Sequence, residues 1–201
     1  GYDDQIAGEL SALANLDATH PALLDYRADW HPDAQVVAQA VFQLAEHYPH
    51  GAVYQRRYIR QLLQQRDLEQ ARSRCEALLE LLPDQDANRL LYAQILHQQQ
   101  HNETAKTQLR HILQHNIDDS DALDLLLELS ISLDEKRTTL SWLISQLQQQ
   151  TNYGDALLDV ARAAQQYLSP AMQQQLLDVL AENTHIWSSR LAWSWLLQQT
   201  D

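Results

Sequence analysis

The stretch AVYQRRYIRQLLQQRDLEQARSRCEALLELLPDQ, residues 52–85, reads as two helices closed by a proline. Across 52–65 the apolar residues Val53, Tyr58, Ile59, Leu62 and Leu63 recur at the spacing of one helix face. A second stripe follows over 68–82, made of Leu68, Ala71, Cys75, Leu78, Leu79 and Leu82. Arg66-Asp67 punctuates the two, and the Asp67 carboxylate is placed to accept free N–H groups at the start of the second helix. Pro83 has no N–H to donate and cannot continue that helix.

Working outward, the pattern returns every 34 residues. Tyr58, Tyr92, Leu126 and Val160 form one track, and Ile59, Ala93, Leu127 and Ala161 a second. Cys75, Leu109, Leu143 and Leu177 form a third, and Leu79, Leu113, Leu147 and Ala181 a fourth. Pro49 and Pro83 share the interval, as do Ala71, Ala105 and Thr139. In the next unit a helix over 86–99, a turn at 100–102 and a helix over 103–115 repeat the layout. These units resemble tetratricopeptide (TPR) repeats, in which a bulky residue precedes a small one in the first helix, Ala opens the second and Pro closes it. Tyr92-Ala93 with Ala105 match one unit; Tyr58, Asp67-Leu68, Ala71, Leu79 and Pro83 match another.

The resemblance implies an all-α, right-handed superhelical solenoid forming a single domain over 1–201. Its register gives five helix pairs, 18–51, 52–85, 86–119, 120–153 and 154–187, between a helix at 1–17 and a capping helix at 188–201. The outer units depart from the pattern: Asp25 and Leu127 stand where a small residue is expected, and Thr139 and Gln173 where Ala is. A single helix pair cannot bury its apolar stripe, so neighbours must stack, and in TPR proteins the first helices line a concave groove.

Composition excludes several classes. With four Gly, five Pro and one Phe among 201 residues, β-rich folds are ruled out. A net charge of −13 opposes generic binding to nucleic acid or anionic lipid. No apolar run reaches the roughly eighteen residues of a membrane span. Cys75 is the only cysteine, so no internal disulfide forms, and its place on a leucine track predicts a buried apolar role. The first residue is Gly rather than Met, which predicts a processed product or an excised fragment; the chain is expected to be soluble, and its compartment, cytoplasm or periplasm, stays open.

No glycine-rich phosphate loop, nucleophile elbow or distinctive carboxylate pair is present, so neither catalysis nor a cofactor is expected. The pairs His97/His101 and His111/His115 have i,i+4 spacing but lack further ligands; they read as polar helix-face residues, and no metal is expected. The expected function is a non-catalytic scaffold that binds a segment of another protein in the groove; the alternative is a regulatory or substrate-presenting domain of a larger enzyme or envelope export protein.

Charge locates the binding residues. Residues 1–50 carry Asp3, Asp4, Glu9, Asp17, Asp25, Asp29, Asp33 and Glu46 against Arg27 alone, whereas 55–74 carry six arginines against Asp67 and Glu69. Arg56 and Arg60, one helical turn apart, are expected to face the groove and meet an acidic segment through their planar forks. Gln94 and His97 continue that wall, and Asp124 and Glu128 make its acidic side. The competing reading pairs these arginines with the acidic first unit. The runs Gln98–Gln100, Gln148–Gln150 and Gln173–Gln175 are expected to be solvated. At the C-terminal end Trp187, Leu191 and Trp195, near Ile186, are expected to cover the last helix pair, leaving Trp193, Leu196 and Leu197 as a candidate apolar interface.

Overall fold

The computed structural model describes residues 2–150, 154, 156–183 and 187–200, with side chains for all of these except 2–7, 16, 156, 199 and 200. Ile186 and the side chains of Asp3 and Asp4 lie outside the described residues. Among the described residues there are twelve α-helices and no strand. They are α1 (Tyr2–Leu16), α2 (Pro21–Trp30), α3 (Ala34–His47), α4 (Ala52–Gln64), α5 (Leu68–Leu81) and α6 (Asp86–Gln98). Then follow α7 (Asn102–His115), α8 (Ser120–Leu129), α9 (Leu133–Leu147), α10 (Ala156–Tyr167), α11 (Pro170–Glu182) and α12 (Trp187–Thr200). The fold is all-α and TPR-like. Contacts divide the chain into two compact units, Gly1–Ile95 and Leu96–Asp201.

In the first unit consecutive helices pack on one another from α1 to α5. Tyr58, Ile59, Ala71 and Cys75 are buried there with Leu24, Val41, Leu44 and Leu91 in one core. The absence of any exposed atom on Ala71 explains the small residue, since anything longer would push the two helices apart. The loop His31–Asp33 joins α2 to α3, and the Asp33 carboxylate caps α3 by accepting Gln35 N–H at 2.8 Å. In the second unit α7, α8 and α9 pack in sequence, α9 meets both α10 and α11, and α12 lies against α10 and α11. Thr139, at the expected Ala position, is buried with its hydroxyl 2.9 Å from that of Ser130, which in turn donates to Leu126 C=O. The departure is thereby satisfied.

The turn inside each of the two clearest helix pairs has the same geometry. Arg66 and Gln100 are in the left-handed region, at φ 61° and 65°. Asp67 N–H donates to Leu62 C=O at 2.9 Å and Arg66 N–H to Leu63 C=O at 3.1 Å. His101 N–H donates to Leu96 C=O at 2.8 Å and Gln100 N–H to His97 C=O at 2.9 Å. These are Schellman closures 34 residues apart, which satisfy the last carbonyls of α4 and α6. They differ in the next step. The Asp67 carboxylate accepts Gln70 N–H at 3.3 Å, whereas His101, at the matching position, makes no side-chain cap. His101→Asp should therefore stabilise the second unit by about 1 kcal/mol; an unchanged or lowered urea midpoint would refute the equivalence of the two turns.

Three glutamines finish helices that lack a glycine cap. Gln55 is buried, and its amide donates to Ala45 and Tyr48 C=O at the end of α3. Gln150 donates to Leu113 and Gln114 C=O and accepts Ile117 N–H, closing α7 from a position 33 to 37 residues downstream. Gln173 donates to Ala164, Gln165 and Leu168 C=O at the end of α10. The expectation of solvated glutamine runs is corrected at Gln150 and Gln173: their amides satisfy helix-end carbonyls that would otherwise lack donors.

Candidate functional site

The arginines of α4 point to different tasks. Arg57 donates to Asp29 (2.6 Å) and to Ala28 C=O (2.5 Å), tying α4 to α2. Arg56 donates to Gln85 (2.8 Å) and to Asn88 (2.9 Å), tying α4 to α6 within the first unit. Arg74 of α5 pairs with Glu46 of α3 at 2.6 Å, and Arg72 with Glu76 at 2.8 Å. The pairing with the acidic first unit thus accounts for Arg57 and Arg74. Arg56 is half-buried, and its Nη1 already donates to two groups of its own unit. Arg60 is exposed, and among the described residues no acid pairs with it.

Arg60 stands on the rim of a cleft of about 610 Å³ between α3 and α4. Its floor is aliphatic, formed by Val37, Ala38 and Val41, with the exposed Pro32 and Ala34 on the wall. Its rim is polar and cationic, with Arg57 and Arg60 beside Gln61, Gln64 and Gln65. Clefts of about 300–1,000 Å³ with an apolar floor and a few convergent polar groups are the usual form of binding sites. Sequence reasoning found Arg60 but missed the floor, because Val37 and Val41 belong to a preceding helix that periodicity alone assigns to the core. Trp30, at the end of α2, is 74% exposed. Gln94 is half-buried on α6.

In the second unit His97 and Glu128 come together, with Nε2 and Oε1 4.0 Å apart. The other ring nitrogen donates to Asn102 Oδ1 at 3.2 Å, which fixes the ring. Asp124 is exposed, and partial burial together with the neighbouring carboxylates of Asp159 and Asp121 raises its pKa. Lys106 lies deeper, its ammonium 2.9 Å from Glu103 and 3.1 Å from Glu135. Burial works against its charge, but the two carboxylates outweigh that and raise its pKa. Glu135, which accepts the Ser132 N–H and the Lys106 ammonium, is held down at about 2. Both ends of this network are satisfied, and it joins α7 to α9.

The α12 helix departs from the expected faces at Trp187, Leu191 and Leu196, while Trp195 is half-buried. Ser188, Ser189, Ala192 and Leu196 are buried, while Trp187 and Leu191 are exposed, at 63% and 47%. Leu196, at 1% exposure, is thus removed from the candidate apolar interface; Trp193 is half-buried and Leu197 exposed. Small residues face α10 and α11 because α12 contacts both at once, and a row of tryptophans would hold it away. Cys75 is buried, and burial pushes its thiol up to about 12, leaving it an uncharged core group without nucleophilic character. The rings of His111 and His115 stack at 4.9 Å, and among the described residues no three His, Cys, Asp or Glu side chains gather to hold a metal. Among these residues no helix is long and apolar enough to cross a membrane.

Residues 62–129, which include the two Schellman turns, match the model of the tetratricopeptide repeat family. Repeats of this family typically serve as non-catalytic surfaces for protein–protein interaction. No curated protein matches the chain.

Proposed function

We propose that this chain is a non-catalytic docking protein that captures a segment of another protein, and that Arg60 makes the leading charged contact. The observation that carries this reading is the contrast among the arginines of the first unit. Arg56, Arg57, Arg72 and Arg74 are all held by groups of their own unit, whereas Arg60 and Arg66 are exposed with no acid partner among the described residues, and of these two Arg60 lines the cleft. An arginine left open beside an apolar cleft supports recognition of a carboxylate-bearing segment. Gln94 is the further polar contact of this reading in the first unit; His97, Asp124 and Glu128 are a separate candidate patch within the second. Arg56 supports the surface from beneath by holding α4 to α6.

Affinity capture from the source organism tests the assignment, with the intact chain and its Arg60→Glu variant as baits. The expected result is loss of the captured partner with helical circular dichroism unchanged. Equal capture by both baits would remove Arg60 from the binding surface.

A further inference from the structure

We infer that the cleft between α3 and α4 receives an acidic segment with an aliphatic side chain at its centre, supplied by a different protein. This rests on the docking reading above and adds the chemistry of the partner. The floor supplies the first reason. Val41 is buried, but Val37 and Ala38 are only half covered by their own unit, so a bound aliphatic group would complete a burial that α3 and α4 leave unfinished.

Charge supplies the second. Two guanidinium groups stand on the same rim, one fixed and one open. Asp29 is paired with Arg57, and no acidic side chain is among the residues that line the cleft. The cleft is therefore a cationic place on a chain of net charge −13, and complementarity selects an acidic occupant.

The test uses the full chain and a library of random displayed dodecapeptides. Enriched sequences should place Asp and Glu around a Val, Leu or Ile, and synthetic copies should bind more weakly at high salt. Two exposed-site variants then locate the contact. Ala34→Glu sets a carboxylate on the cleft wall at the first turn of α3, where a helix tolerates negative charge. Arg60→Glu reverses the rim. Each should weaken the peptide about tenfold or more, with helical content unchanged, whereas Val53→Glu, at the opposite end of α4 and outside the cleft, should leave it unaltered.

Loss with Arg60→Glu and Val53→Glu but not with Ala34→Glu would overturn the cleft and leave the docking reading standing. Enrichment of peptides without acidic residues, or no enrichment, would overturn the acidic occupant. Self-association in sedimentation that Arg60→Glu abolishes would identify a second copy of this chain as the occupant and also overturn the proposal. Failure of lysate capture to depend on Arg60 would instead strike the docking reading itself.

Discussion

Arg56→Glu should cost the first unit about 2–3 kcal/mol, although the residue lies on a helix face that periodicity marks as outward. Its guanidinium bridges Gln85 and Asn88, and Asn88 is fully buried. The Asn88 side-chain amide also donates to Leu82 C=O at 3.4 Å, and the Asn88 backbone carbonyl accepts the Cys75 thiol at 3.6 Å. Reversing the charge strands the buried Asn88 oxygen without a donor and turns a carboxylate toward it. A buried acceptor left unpaired costs roughly 1–3 kcal/mol, and repulsion places this case in the upper part of that range. Urea denaturation reads the loss, and amide exchange should localise it to α4 and the start of α6. Arg56→Lys should be intermediate, since both bonds leave the single nitrogen Nη1 and an ammonium keeps the charge and the donors but on a stem of different length and shape. A variant within about 0.5 kcal/mol of the parent would mean that Asn88 finds another donor.

The second large effect is expected at Leu109→Ala, at about 3–4 kcal/mol, within the roughly 2–5 kcal/mol range for truncating a buried leucine. Leu109 has no exposed area and belongs to the 34-residue track that also buries Leu143. Its α7 neighbours Ala105, Ile112 and Leu113 are fully buried too, so little can collapse into the space left behind. Cys75 occupies the corresponding position in the first unit. Cys75→Ala removes a single sulfur and should cost clearly less. Equal losses at the two positions, measured by the same denaturation, would show that the repeat does not impose a common packing site.

Much of this architecture is legible in the sequence, and what is missing has a physical pattern. The helices around Asp67 and the buried tracks through Tyr58 and Cys75 follow from periodicity, because helix spacing and solvent exclusion are both local regularities. What escapes is long-range and polar. Arg56 and Arg60 look alike in sequence, yet the first is held by Asn88, 32 residues away, and the second by no acid among the described residues. Gln150 and Gln173 belong to runs that composition reads as surface, and only the fold brings them to open helix ends. On α12, size misleads: the largest apolar groups suggest the buried face, while closeness to two helices at once selects serine and alanine.

The Gln150 closure bears on how the chain is completed as it emerges during synthesis. The carbonyls that end α3 find their amide within ten residues, at Gln55, so that segment holds its own fastening almost as soon as it is made. The carbonyls that end α7 wait until Gln150, three residues past α9, has arrived. Through that interval the end of α7 lacks this closure, and the chain most needs protection from premature association while that stretch is still leaving the ribosome.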